Sequence, residues 1–373
     1  MRDSIMKEKP ELIFACRWNK EIEKTWSGTA YAVYEELGKR FQISRFDLKD
    51  TFSILMYKLL RRMHLIKGNF SLLPTIRRYN RKFQKKYKDE TKVVFQFDET
   101  PWTSQTINYI YQDLSIAYIN YMRKHDPVAY VYSSFSNISE RQLEKREQAQ
   151  REFYQHCAGI FTMGQWLADF LHVECGIPVE KIHVVGAGVG IPVELCNDLI
   201  KTGNKILFVG KDFERKGGKL VVEAFQILRK NYRPDAELYI AGPVHNPIEK
   251  EIPGIHFVGN LSRNEVTKYY RMCDIFCMPS YFEAYGIAFC EALVYGLPCI
   301  ARNKYAMPEI IRDREEGYLI DNDDASDLAY KMQCLLEDEQ ILQNVRSRQE
   351  FYQRKYSWEY VVNQMEQVIK RER

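Results

Sequence analysis

A chain of 373 residues is longer than one ordinary α/β domain and comfortable for two, each large enough to bury its own core. With 45% hydrophobic and 28% charged residues and no Gly, Ser or Gln tract, the composition excludes a fibrous or low-complexity chain. The net charge of +4 is small but unevenly spread: from Lys58 to Lys92 there are twelve Lys or Arg against two acidic residues, so the rest of the chain is net negative.

Met1 to Pro10 is charged, and no stretch approaches the ~18 uninterrupted apolar residues of a membrane span, so neither a signal peptide nor a transmembrane helix is predicted and a cytoplasmic location is expected. The nine cysteines are odd in number and scattered, which suits a reducing compartment. Cys273 and Cys277 could be read as metal ligands, but no second Cys or His pair accompanies them, and they are read as structural.

In the first half, strand-like runs stand at Glu11–Cys16, Val93–Phe97, Ala129–Tyr132, Gly159–Thr162 and Lys181–Val185. Helical patterns at Thr29–Arg40, Arg141–His156 and Trp166–Cys175 lie between them. Between Gly190 and Gly203 the residues Pro192, Asn197 and Thr202 interrupt the periodicity, and a domain boundary is expected there. The second half alternates more cleanly. Strands are predicted at Lys205–Gly210, Glu237–Gly242, Ile255–Gly259, Asp274–Met278 and Pro298–Ala301, with helices at Gly218–Tyr232, Arg263–Met272 and Ile287–Tyr295. Short apolar runs ending in Gly or Pro, separated by amphipathic helices, are the pattern of a doubly wound parallel sheet. Two such domains facing each other would form a cleft at the carboxyl ends of their strands, so chemistry is sought in the strand-to-helix loops.

The most informative loop is Pro279 to Pro298, which follows a strand and opens a helix. Gly286 lets a ligand approach the backbone, and the amides of Ile287 and Ala288 at the helix start suit a phosphate. Glu291, one turn into that helix, is placed to accept hydrogen bonds from ribose hydroxyls. Glu283, in the loop itself, can reach a sugar ring or a developing positive charge. The alternative is that both glutamates are solvated helix-face residues.

Two glutamates separated by seven residues, with Phe282 before the first, Gly286 between them and Ala292, Leu293, Gly296 and Pro298 after, resemble the motif of the retaining glycosyltransferases of family 4. The resemblance implies a GT-B fold: an acceptor-side Rossmann-like domain over 1–195, a nucleotide-sugar-binding one over 196–352, and a C-terminal helix over 353–373 that crosses back to the first. It extends to Phe208–Gly218, where the family grips the donor diphosphate with a basic residue after the Gly and a Lys before the next. Gly210, Lys211 and Lys216 hold those places. Family members commonly have Arg where this chain has Lys211, so a point charge replaces a bidentate fork and Arg215 is expected to share the task. Lysines simply facing water are the alternative.

The resemblance continues through Trp26–Thr29, the place of the family's Gly-containing loop, where Gly28 would approach the donor phosphates; an ordinary helix cap by Ser27 or Thr29 serves the same residues equally well. It also takes in Pro308–Ile311, Glu316–Leu319 and the helix after Tyr356–Glu359. In one respect the chain departs from the family. Where many relatives place a His against the donor sugar, this chain reads Phe95 to Asp98 and Tyr111 to Asp113, leaving Asp98, Gln112 or Asp113 as substitutes. The seven histidines are scattered singly and are read as structural or surface groups.

The implied activity is that of a retaining hexosyltransferase, of the kind used in polysaccharide biosynthesis, moving a sugar from a nucleotide-diphosphate sugar to a glycan or lipid-linked acceptor. Cations and amides would carry the leaving group's charge. No Asp-x-Asp motif stands at a strand end; Asp321 and Asp323 have the spacing but read as a turn and cap before the helix at Ala325, so no metal and no cofactor are expected. Two readings of the basic segment 52–92 stay open: peripheral contact with an anionic membrane surface, or solvated helix faces around core residues. No nucleic-acid-binding module surrounds these charges. Rivals are a GT-B sugar-nucleotide epimerase or phosphorylase and a noncatalytic sugar-nucleotide-binding protein. A nicotinamide oxidoreductase is disfavoured, because Gly186, Gly188 and Gly190 do not form the dinucleotide fingerprint and Pro192 opposes a helix there.

Overall fold

A computed structural model of the protein describes residues 9–48, 56, 59–60, 63, 73–88, 90–97, 102–193 and 203–371. The chain forms two compact units. One takes the chain up to Gly186 together with the residues from Val361 on; the other runs Ala187–Tyr360. The expected boundary at 195/196 lies outside the described residues.

The first unit is built on a six-stranded parallel sheet of β1 (Glu11–Cys16), β2 (Gln42–Asp47), β3 (Val93–Gln96), β4 (Ile107–Gln112), β5 (Cys157–Thr162) and β6 (Ile182–Val184), in the order β2-β1-β3-β4-β5-β6. Leu12 to Cys16 and Val93 to Gln96 are buried without interruption, as strands covered on both faces must be. β4 was not anticipated, although it is buried from Asn108 to Gln112; β2 was missed because it is a polar, largely exposed edge strand. Ala129–Tyr132 is helical, within Pro127–Tyr132, and not a strand. Its β-prone side chains are overruled by a cap: Asp126 accepts a hydrogen bond from the Ala129 amide at 3.1 Å, and Pro127 stands in the first turn.

The helix Leu73–Tyr87 resolves part of the basic segment. Tyr79, Phe83 and Tyr87 recur every four residues and are buried, whereas Arg77, Arg78, Arg81, Lys82, Lys85, Lys86 and Lys88 are exposed. Phe83 lies edge-on to Phe46 of β2 with centroids 5.0 Å apart. Aromatic residues of this helix therefore belong to the core, and cations with Gln84 face solvent; most of the segment before residue 73 lies outside the described residues. The final helix, Trp358–Arg371, joins the first unit from Val361 onward. There Arg40 donates to Glu366 at 3.0 Å and the Gln364 amide to the Val185 carbonyl at 3.1 Å.

The second unit holds β7 (Lys205–Val209), β8 (Glu237–Ala241), β9 (Ile255–Gly259), β10 (Ile275–Cys277), β11 (Cys299–Arg302) and β12 (Gly317–Ile320). Their order is β12-β11-β10-β7-β8-β9, all parallel. The winding reverses between β7 and β10, which pair through Ile206–Ile275 and Leu207–Phe276. In such a sheet the connections after these two strands run to opposite faces, so a crevice opens at their carboxyl ends. Gly188 and Gly190 have a packing role: a Cβ there would meet the Trp358 ring at 2.5 Å and the Arg263 guanidinium at 2.8 Å. Cys273 and Cys277 are buried core thiols.

Candidate functional site

The loops after β7 and β10 hold the residues singled out from sequence, and the reversal of winding brings the loops side by side. Gly217 has φ +77 and closes the first loop; a Cβ on it would meet the Pro279 carbonyl oxygen at 2.5 Å, so only glycine allows this approach. The backbones are tied directly, Tyr281 N to Arg215 O at 2.9 Å.

Three ionic side chains converge here. Lys216 donates to Oε2 of Glu283, Arg215 Nη1 lies 3.6 Å from the same oxygen, and Ser280 Oγ donates to it at 3.3 Å. Arg215 also donates to the Phe282 carbonyl at 2.6 Å, which anchors the backbone beside Glu283. Lys216 and Glu283 are 12% and 13% exposed, shielded enough that the pair is not a screened surface contact. Burial alone would push the Glu283 carboxyl up, but the two cations outweigh it and hold the group below the ordinary carboxylate range. Burial draws the Lys216 ammonium down from its usual value, and Glu283 restores only part of that.

The second loop runs into the helix Ile287–Val294. Gly286 precedes it with φ +108, and no side chain caps the amides of its first turn, where Ile287 and Ala288 are half-buried. Such an end carries partial positive charge. Glu291, one turn on, accepts a hydrogen bond from Tyr270 at 3.0 Å. Burial pushes its carboxyl up to about 7, against the pull of Tyr270, Arg263 and Lys216.

Lys216, Arg215 and Glu283 are thus brought into contact, with Gly210 packed against the Lys216 chain and Gly286, Ile287, Ala288 and Glu291 on the adjoining helix. Lys211 stands apart, exposed on the same loop, with no ion pair among the described residues. Gly28 belongs to the first unit. It caps the helix Thr29–Gly38 with φ +89, and no side-chain hydrogen bond accompanies it, so neither Ser27 nor Thr29 is the cap. Instead Trp26 and Ser27 take left-handed backbone themselves, at φ 50 and 53, an uncommon conformation for such residues.

Of the expected substitutes for the family's His, Gln112 is the one whose partners the structure shows. Gln112 is 2% exposed and exchanges hydrogen bonds with Tyr154, at 2.8 and 2.9 Å, so its amide is committed to the core. Asp98 lies outside the described residues, and Asp113 is half-buried at the end of β4. Asp321 pairs with Asn303 and Asp323 with Arg302, while the cap before Ala325 is Asp324.

Sequence reasoning missed Tyr270 and Arg302. Arg302, at the end of β11, is buried and donates to the carbonyls of Ser280 (3.1 Å) and Pro279 (3.3 Å) and to Asp323 (2.6 Å). It holds the loop that carries Glu283. An arginine closing an otherwise apolar strand was the available signal.

Residues 197–358 match the family model described as Glycosyl transferases group 1. An uncharacterized 41.2 kDa protein in the cps region of Klebsiella pneumoniae is 30% identical over 168 residues, 41% of this chain and 45% of that one. A D-inositol 3-phosphate glycosyltransferase of Jonesia denitrificans is 24% identical over 234 residues, 55% of each. The chain thus spans about half the length of the curated relatives it matches. Among solved structures, sucrose-phosphate synthase from Thermosynechococcus elongatus superposes with a TM-score of 0.66 at 14% identity, covering 97% of this chain and 99% of that one. The chain thus folds as two parallel-sheet Rossmann-like units of the GT-B fold, and the stretch that matches the glycosyl transferases group 1 model, residues 197–358, lies within the second of them.

Proposed function

We propose that the protein is a glycosyltransferase that moves a sugar from a nucleotide-diphosphate sugar to a glycan or lipid-linked acceptor with retention of anomeric configuration. The observation that carries this reading is the meeting of Lys216, Arg215 and Glu283 at the β7/β10 crevice, beside the uncapped start of Ile287–Val294. A diphosphate entering there finds two cations and a helix terminus, and its ribose finds Glu291.

Breaking the bond between the sugar C1 and the diphosphate oxygen leaves a nucleoside diphosphate with one more negative charge. Lys216, Arg215, Lys211 and the Ile287 and Ala288 amides stabilise that charge as it develops, with no metal or cofactor required of the chain. The acceptor oxygen bonds to C1 on the face that the phosphate leaves, and its proton passes to the departing phosphate. Glu283, kept ionised by its two cations, positions the sugar and faces the positive charge that grows on its ring.

The exposed cations of Leu73–Tyr87 support an acceptor at an anionic membrane surface, through charge rather than insertion, because the helix's aromatic residues are buried. Among the described residues no helix is long and apolar enough to cross a membrane.

The test is a screen of the purified protein against UDP-, GDP- and ADP-sugars with chelator present, following diphosphate release and thermal stabilisation together. Stabilisation with slow hydrolysis by one donor, abolished in Lys216→Ala, supports the reading. Binding without turnover under any acceptor condition would make the protein a noncatalytic binder, and an isomerised sugar nucleotide would make it an epimerase.

A further inference from the structure

Tyr270 lies on the helix Arg263–Met272 and Glu291 on Ile287–Val294, two elements that flank the β7/β10 crevice. The Tyr270 side chain is fully buried. Its ring stacks on Tyr295, with centroids 5.6 Å apart and planes 20° apart, and lies against Phe276. Tyr295 is anchored in turn, its hydroxyl donating to the Pro192 carbonyl at 2.8 Å. The Tyr270 hydroxyl therefore has one place to be, 3.0 Å from Oε2 of Glu291 and 3.5 Å from the Ala288 carbonyl. A phenol enclosed in this way touches no substrate, but it fixes the rotation of a carboxylate that faces one.

We infer that Tyr270 is a positioning residue for donor recognition: by holding Oε2 of Glu291 it orients the carboxylate so that the second oxygen is presented to the ribose diol of a nucleoside diphosphate. The inference rests on the donor-site reading above and adds to it a residue from outside both motif loops. Other groups act on Glu291 besides Tyr270. Arg263, at the start of the same helix, and Lys216, from the loop after β7, favour its charged form. Cys290, its chain neighbour, is a thiol that burial pushes up to about 12, and burial drives the Tyr270 phenol well above its usual value, so both stay neutral. Tyr270 is the one of these that donates a hydrogen bond to the carboxylate. Removing it weakens the charged form and leaves the packing in place.

The experiment measures binding of UDP, GDP and ADP by calorimetry from pH 5.5 to 9 for the wild type, Tyr270→Phe, Glu291→Gln and the double variant. Wild-type affinity rises with pH around 7. In Tyr270→Phe that midpoint moves up by about one pH unit, affinity at pH 7 falls several-fold, and affinity recovers by pH 9, with melting temperature near that of the wild type. The double variant binds no more weakly than Glu291→Gln alone, since Tyr270 acts through Glu291. A wild-type midpoint and affinity in Tyr270→Phe would overturn the inference, as would additive losses in the double variant. If the wild type binds none of the three diphosphates, or Glu291→Gln binds like the wild type, the donor-site reading itself fails, whatever Tyr270 does.

Discussion

The ammonium of Lys216 is hydrogen-bonded to Oε2 of Glu283 across 67 residues of sequence, and this pairing joins the two motif loops at the point where the second sheet reverses its winding. In the free protein each group satisfies the other. On the proposed reading a diphosphate competes for the lysine without uncovering the carboxylate, because Arg215 and Ser280 still face it.

Glu283→Gln keeps the shape but removes the negative charge. Donor binding is expected to persist while transfer falls by about 10² to 10³-fold, the scale seen when one preorganised electrostatic partner is lost. Lys216→Ala is expected to lose both binding and transfer. It also leaves a shielded carboxylate with only Arg215 at 3.6 Å and Ser280 at 3.3 Å to offset its burial, which costs about 1 to 3 kcal/mol of stability. Chemical denaturation of Lys216→Ala and of Lys216→Ala/Glu283→Gln separates the effects, since the double variant recovers part of that loss.

Glu291 gives stability a pH dependence. Its folded carboxyl lies at about 7 and its unfolded value at 4.5, so the folded state binds this proton more tightly. The stabilisation is fully present below pH 4.5 and is lost as pH rises through about 7, a contribution of about 3 kcal/mol. Glu291→Gln should remove this slope, read as the difference between the two proteins' unfolding free energies at pH 5 and pH 8.

At Gly217 an alanine meets both a left-handed backbone and the Pro279 carbonyl oxygen at 2.5 Å. Gly217→Ala is expected to destabilise by about 1 to 3 kcal/mol and to separate the two motif loops. Differential scanning calorimetry checks the first effect and loss of nucleoside diphosphate binding the second.

On the helix Leu73–Tyr87 the two faces should respond in opposite ways. Reversing Arg78, Lys82 and Lys85 to Glu leaves the melting temperature nearly unchanged but abolishes salt-sensitive sedimentation with anionic vesicles, at about 1 kcal/mol per charge. Phe83→Ala should cost about 3 to 5 kcal/mol, because it empties a fully buried site beside Phe46.

Arg302→Met tests the support of the loop that carries Glu283. The carbonyls of Pro279 and Ser280 lose their buried donors, so transfer should fall several-fold at saturating donor, together with a loss of about 1 to 3 kcal/mol of stability per unpaired group. Unchanged turnover with a lowered melting temperature would limit Arg302 to a purely structural role.

Local pattern was enough for five strands of the second sheet, while β12, Gly317–Ile320, was not anticipated. Lys205–Val209, Glu237–Ala241 and Ile275–Cys277 are short apolar runs closed by Gly or a turn, and every helix predicted between them is present. The first half was harder to read. Ala129–Tyr132 has strand-like side chains whose helical fate depends on the Asp126 cap and Pro127, and β2 is a polar edge that carries no apolar run. Gln112 looked like a free polar group until Tyr154 was found beside it.

The chain's own order of residues determined that two wound α/β halves would form, that Lys211, Lys216 and Glu283 would stand in strand-to-helix loops and that Glu291 would lie one turn into the helix that follows, since periodicity and Gly or Pro punctuation are local properties. Only the tertiary structure decided that β10 lies beside β7, and with it that Lys216 meets Glu283 and Tyr270 meets Glu291. Neighbours in a doubly wound sheet are selected by how the crossover helices pack, a cooperative property that no short stretch of sequence contains.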